Sequence, residues 1–232
     1  MSEHLPLVLI PGLLCDGALW QNQINALKDI ADFSVALTTR HDSIGAIAAD
    51  VLRQAPRQFA LAAISMGGYV AFEIMRQAPE RVVKLAILDS TARPDPSEQK
   101  ERRRLLMAMS NSGQFKGVTP RLLPSLIHPA HLEDKILTGI IMQMAERVGR
   151  DAFINQQSAM IGRIDSRPFL PAIKCPTLVV GGMQDAVSPP ELIKEIADLI
   201  PGARLEMIDI CGHLSPLEQP DAVNALMRRW IA

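Results

Sequence analysis

Two rhythms of apolar residues alternate along this chain. Short strand-like runs occupy residues 7–10 (LVLI), 33–37 (FSVAL), 59–64 (FALAAI), 84–89 (KLAILD), 177–182 (TLVVGG) and 204–210 (RLEMIDI). Between them, apolar residues recur at three- and four-residue spacing, which predicts amphipathic helices over 20–28, 44–54, 66–77, 189–200 and 220–231. The last two begin at a proline, a residue suited to a first helical turn. Strand-like runs that are apolar on both faces, alternating with helices, predict a parallel sheet covered on both sides.

The alternation stops between Thr91 and Lys174. That stretch predicts helices alone, over 97–110, 132–147 and 150–161. It leaves the pattern after one strand and rejoins it before the next, with no flexible linker at either end, so it reads as an inserted lid and not as a separate domain. The expected division is a core of residues 1–92 and 169–232, with a helical lid of residues 93–168.

Composition narrows the partners. The chain has 232 residues, 48% of them hydrophobic and 21% charged, ordinary proportions for a globular protein. A net charge of −1 supplies no electrostatic footprint for nucleic acid or an anionic membrane, and neither is an expected partner. With 4% aromatic residues, any pocket is expected to be lined by Leu, Ile, Val and Met. Cys15, Cys175 and Cys211 are widely spaced and form no CxxC pair, which suits free thiols in a reducing compartment. The first apolar run follows Glu3 in place of a basic leader and is broken by Pro11 and Gly12, so it reads as a buried strand and not a signal peptide. No run is long enough to span a bilayer, and the expected location is the cytoplasm.

Candidate chemistry gathers at the ends of the runs. In AISMGG, residues 63–68, a serine sits between a strand-like run and a helical one, with small residues two before and two after it. That is the form of a nucleophile elbow, a turn sharp enough to strain the backbone of Ser65 and lift its hydroxyl clear of the sheet. Small neighbours are needed because the turn leaves no room for larger ones. A serine hydroxyl needs a base to take its proton, and the base needs an acid to orient it. In folds of this type the order along the chain is Ser, then acid, then His. Asp185 follows the fifth run in VVGGMQDAVSPP, and His213 follows the sixth in DICGHLSPLEQP. Both lie where chains leave the carboxyl ends of strands, the usual place for sites in open parallel sheets. Asp89, at the end of the fourth run, is a rival for the acid.

Four motifs, spread over nearly the whole length, resemble the α/β-hydrolase superfamily: PGLLCDGALW, AISMGGYVAFEIM, PTLVVGGMQDAVSPP and CGHLSPLEQPDAV. Within it the chain is similar to small lid-bearing serine esterases, enol-lactone hydrolases and pimeloyl-carrier-protein methyl esterases. The resemblance implies a three-layer α/β-hydrolase fold with a mostly parallel sheet of about six strands and an inserted helical lid, lacking counterparts of the first two strands of the eight-stranded plan. It implies Ser65 as nucleophile, His213 as general base, Asp185 as orienting acid, and the backbone N–H groups of Leu13 and Met66 as an oxyanion hole. Ala63 replaces the usual first glycine of the elbow, and Pro11 stands where many members carry histidine before Gly12. Proline has no N–H, but the hole requires that of Leu13, so Pro11 leaves it intact.

The implied reaction is hydrolysis of a small carboxylic ester, free or carrier-bound, through an acyl-enzyme on Ser65. A thioester, lactone or carbon–carbon bond would use the same residues, and the few aromatics weigh against an aromatic ring-cleavage substrate. A cofactor-free perhydrolase or lyase, or a slow-turnover ligand sensor, are alternatives on the same scaffold. No cofactor or metal is implied, because the glycines near Gly12 and Gly67 form neither a phosphate loop nor a GxGxxG helix start, and no metal-ligand spacing occurs. Other features carry two readings. The basic run KERRRLL at 100–106 is a docking face for an acidic carrier or a solvated helix face. Met107, Met109, Met142, Met144 and Met160 line an acyl pocket or fill helix contacts. Glu218 is expected to support the start of the last helix, Trp20 to pack behind the Leu13 loop, and Tyr69 to pack on the elbow helix. Cys15 lacks a neighbouring base.

Overall fold

Every predicted strand-like run forms a strand. In the computed structural model, which describes residues 4–232, β1 (Leu5–Ile10), β2 (Ala31–Val35), β3 (Phe59–Ile64), β4 (Val82–Leu88), β5 (Thr177–Gly182) and β6 (Arg204–Ile208) make one sheet in the order β2-β1-β3-β4-β5-β6. All five pairings are parallel. Glu3, which stands before the first apolar run in place of a basic leader, lies outside the described residues. β6 stops two residues before the end of its apolar run because Ile210 takes a left-handed backbone (φ 50°) and turns out of the sheet.

The inner strands show why their runs are unbroken. Side chains of a strand alternate between its two faces, and here each face meets a separate core. Leu7 and Leu9 of β1, Ala60, Ala62 and Ile64 of β3, and Leu178 and Val180 of β5 join one cluster. Val8, Ile10, Phe59, Leu61, Ala63 and Val179 join the other. The first cluster is closed by α1 (Gln21–Leu27) and α8 (Pro220–Ile231), and the second by α2 (Ile44–Gln54), α3 (Met66–Gln77) and α6 (Pro190–Leu199). The edge strands β2 and β6 are each only partly buried, in keeping with their polar residues. Burying one large aliphatic side chain is worth ~1.5–3 kcal/mol, so the double-sided core is the main source of stability.

Between β4 and β5 the chain carries α4 (Ser97–Met109) and α5 (Lys135–Ile161). The sequence pattern predicts two helices over the second of these, separated near 148–149. The backbone is interrupted there, at Gly149 (φ 77°, ψ 177°), a conformation open to glycine and costly for other residues. α5 packs firmly: Leu137, Ile141 and Met144 enter the first core cluster, and Ala159 and Met160 the second. α4 buries no side chain fully. A short helix, α7 (Ser215–Glu218), precedes α8 and is not foreshadowed by any periodicity. Among the described residues no helix is long and apolar enough to cross a membrane.

Candidate active site

The chain passes from β3 into α3 through one residue, Ser65, whose backbone is left-handed (φ 55°, ψ −120°). Strain of this kind costs ~1–3 kcal/mol and persists only where the surroundings over-determine it. Here the Ser65 N–H donates to Leu88 O (3.0 Å), while Ser65 O accepts from Gly68 N (2.9 Å) and from Ser90 Oγ (2.8 Å). A Cβ on Gly67 would sit 2.5 Å from Ile10 O and 2.9 Å from Pro11 O, so the loop after β1 can approach the elbow only with glycine there. Ala63 needs no such concession. It is wholly buried, pairs in register with Ile10 and Ile87, and points its methyl into the second core cluster.

Three strand ends then deliver a connected row. Asp185 Oδ1 accepts from the N–H groups of Val187 (2.8 Å) and Ser188 (2.9 Å), which pins the carboxylate and leaves Oδ2 facing His213 Nδ1 at 2.8 Å. His213 Nε2 lies 2.8 Å from Ser65 Oγ. An ionised carboxylate only accepts, so Nδ1 carries the ring proton and Nε2 is free to accept from the serine hydroxyl. Burial acts most strongly on His213 and pulls its pKa down. The charge and hydrogen bond of Asp185, aided by Asp89 and Glu218, outweigh it, and the net direction is upward from the ordinary 6.5.

Asp89 does not bond to His213. Its Oδ1 accepts from Gly182 N (3.0 Å), and its Oδ2 from Ser215 N (3.2 Å) and Ser215 Oγ (2.5 Å). It ties the end of β4 to the end of β5 and to the turn after His213. Burial, reinforced by the charge of Asp185, pushes its pKa up to about 8. Glu218 departs from the sequence expectation. Instead of supporting the start of α8, its carboxylate accepts from Gly212 N, Leu214 N and His128 N at 2.7–3.1 Å, clamping the backbone on both sides of His213. Ser215 and Glu218 are buried supports of the histidine loop that sequence reasoning missed; the only signal was their closeness to His213 in the chain.

The loop after β1 lies directly against the elbow: a Cβ on Gly12 would be 3.2 Å from Ser65 Cβ. Leu13 follows Gly12 in that loop, and Met66 N, the first amide of α3, directly follows the serine. Neither N–H has a hydrogen-bond acceptor among the described residues. The loop continues through Leu14, itself left-handed (φ 58°). Burial, with the charge of Asp16, raises the pKa of the Cys15 thiol to about 12, which disfavours the nucleophilic thiolate.

Other candidates divide between their readings. Arg103, inside the basic run, turns inward to pair with Asp95 (2.6 Å) and bond Gln157 (2.8 Å), while Arg104 stays exposed beside Glu101. Met144 and Met160 are core residues, whereas Met109 is exposed. Trp20 is fully buried in the first core cluster. Tyr69 is half-buried, with the Arg163 guanidinium 4.1 Å above its ring. A cavity of about 160 Å³ is lined in part by Tyr69, Glu73, Arg76 and Arg163, and includes no member of the Ser65–His213–Asp185 row. Among the described residues no three His, Cys, Asp or Glu side chains are grouped to hold a metal.

Known proteins share this architecture. The structure superimposes on a malate-bound thermophilic esterase from Thermogutta terrifontis with a TM-score of 0.88 and 31% identity, covering 100% of this chain and 90% of that one. In sequence the chain is 29% identical over 174 residues to a Mycobacterium tuberculosis (strain CDC 1551 / Oshkosh) protein provisionally named non-heme bromoperoxidase BpoC, and 27% identical over 173 residues to a pimeloyl-[acyl-carrier protein] methyl ester esterase of Neisseria meningitidis serogroup C. The matched stretches cover 73% and 72% of this chain, and span 66% and 67% of the lengths of those two proteins. Residues 7–226 match the sequence profile of the Alpha/beta hydrolase family, and the chain belongs to that family.

Proposed function

We propose that this protein hydrolyses small carboxylic esters through an acyl-enzyme on Ser65. The observation that carries the reading is the unbroken row from Asp185 through His213 to Ser65, with 2.8 Å at each link. Ser65 Oγ attacks the ester carbonyl carbon while its proton passes to His213 Nε2. The carbonyl oxygen becomes an oxyanion that accepts from the N–H groups of Leu13 and Met66, donors aimed where charge develops. Collapse of this intermediate breaks the bond to the alcohol oxygen, which leaves with the proton from His213. Water then attacks the acyl carbon, gives a proton to His213, and the acid is released as Ser65 regains its hydrogen. Asp185 holds the imidazole in the working tautomer and stabilises the imidazolium that forms.

The helical segment 93–168 acts in this reading as the lid that sets the acyl group admitted. The substrate is a small ester, free or on a carrier; cofactor, nucleic acid and membrane have no part. The 31% identity to an esterase over the full chain supports an ester before a thioester or a carbon–carbon bond. Similarity to the protein named as a bromoperoxidase favours one second reading, transfer of the acyl group to peroxide in place of water.

The test is hydrolysis of p-nitrophenyl esters from acetate to decanoate by the wild type and by Ser65→Ala. Wild-type turnover with a chain-length optimum, reduced roughly 10⁴–10⁶-fold in the folded variant, is expected. Equal rates in the two proteins would sink the assignment, and peracid formation outpacing hydrolysis in added peroxide would select the second reading.

A further inference from the structure

Gln156 belongs to the inserted α5, far from the row in sequence, and its side chain is fully buried. A helix position that merely packs would take leucine or methionine, because a buried amide must satisfy every polar atom or pay for its desolvation. The partners of this amide all lie in loops after two neighbouring strands. Oε1 accepts from Leu14 N (3.1 Å), and Nε2 donates to Thr38 Oγ1 (3.1 Å) and Thr38 O (3.4 Å). A backbone N–H only donates, so the Leu14 contact fixes which end of the amide faces it.

That contact falls at a strained place. A leucine at φ 58° occupies a backbone region that costs roughly 1–2 kcal/mol for an L-residue, and something must hold it there. The two peptide planes around Leu13 are both anchored. Gly12 O, in the plane that carries the Leu13 N–H, accepts from Cys15 N (3.2 Å). In the next plane, Leu13 O accepts from Cys15 Sγ (3.4 Å) and the Leu14 N–H is taken by Gln156. α5 grips the same loop elsewhere: Arg147 makes a two-pronged pair with Asp16 (2.7 and 3.1 Å), and Leu14 packs with Ala145 and Phe153.

We infer that Gln156 is a positioning residue: from the helical insertion it locks the Gly12–Leu14 backbone so that the Leu13 N–H points at the oxyanion. It touches no substrate itself. The inference rests on the acyl-enzyme reading above, and it makes the insertion a structural part of the reaction centre in addition to a cover over it.

Gln156→Met keeps the length of the side chain and removes its hydrogen bonds. Deleting a whole oxyanion donor costs about 10²–10³ in kcat, so misaiming one is expected to lower kcat about tenfold or more with KM nearly unchanged. Affinity for an alkylboronic acid, which forms a tetrahedral adduct on Ser65, should fall in parallel, and amide exchange across residues 11–19 should quicken. Gln156→Glu, which keeps an acceptor for Leu14 N–H, should recover part of kcat. An unchanged kcat in Gln156→Met, or a loss confined to KM, overturns the inference. If Gln156→Met does not fold, Thr38→Val removes one partner of the amide. It should then show a smaller loss with the same kcat pattern, and unchanged kcat and exchange there overturn it equally. If the wild type turns over no ester, the acyl-enzyme reading falls by itself. Loop exchange in Gln156→Met then decides the anchoring alone, and unaltered exchange refutes it.

Discussion

β3 and the α4–α5 insertion both border the candidate site, yet different forces hold them. Every residue of β3 is buried, split by alternation between two apolar cores, and its last turn is kept in a strained shape by backbone bonds. The insertion also enters the cores through α5, but α4 buries nothing fully, and polar side chains add further ties. Within the insertion Arg103 and Arg163 converge on the buried Asp95, and across to the core Arg147 pairs with Asp16 and Gln156 reaches Leu14. The core thus holds Ser65, Asp185 and His213 at its strand ends through packing and buried hydrogen bonds. The insertion reaches the loop after β1 through separable side-chain bonds as well as through packing.

The largest losses are expected at the row itself. Ser65→Ala should abolish turnover to the extent given above while leaving the unfolding midpoint close to wild type, since a small side chain at the elbow preserves the packing. Asp185→Asn should lower kcat by about 10⁴-fold. Its pH profile adds a second readout. In the wild type the pKa of His213 is raised, so the rate should fall as pH drops through a value above 6.5, where the imidazole gains a proton and can no longer accept one from Ser65. Without the Asp185 charge the pull of burial prevails, and the acid limb of kcat/KM should move to lower pH. An acid limb that stays in place would show that Asp185 does not govern His213.

Smaller effects sharpen the contrast. Gly67→Ala drives a methyl against Ile10 O and should cost about 1–3 kcal/mol by urea unfolding, with a loss of activity because the Leu13 loop must shift. A variant with wild-type midpoint and activity would mean the loop moves freely. Arg103→Ala should cost about 1–3 kcal/mol, moderated because Asp95 keeps Arg163. It should change the preferred ester chain length more than the rate on acetate; the reverse pattern would place the chemistry under the insertion's control. Arg104→Ala removes an exposed pair with Glu101 and should alter neither stability nor kinetics measurably.

Much of the fold was legible because its signals are local. A strand buried on both faces must be an apolar run, and an elbow must have small residues beside its serine. Even the break in α5 is written at Gly149. The row was legible only in outline. Ser65, Asp185 and His213 were marked by their places at strand ends, and the structure sets these three side by side. Asp89 satisfied the same local rule and proved to bond Ser215 and Gly182 instead. Glu218 was misjudged because its distance from the start of α8 is visible in the sequence, while the fold of the histidine loop back over its carboxylate is not. Gln156 left no trace at all: 142 positions separate it from Leu14, and a glutamine inside the polar run of residues 155–157 of a helix resembles a solvent-facing residue.

By itself, then, the sequence determined the succession of strands and helices, the sheet's two-sided burial and the strand ends that carry Ser65, Asp185 and His213, because each depends on residues within a few positions of one another. Tertiary structure alone decided which carboxylate faces His213, which buried groups clamp its loop, and how the insertion reaches the Leu13 backbone. Those outcomes depend on hydrogen bonds between distant segments, whose distances and directions exist only once the two cores have closed around the sheet.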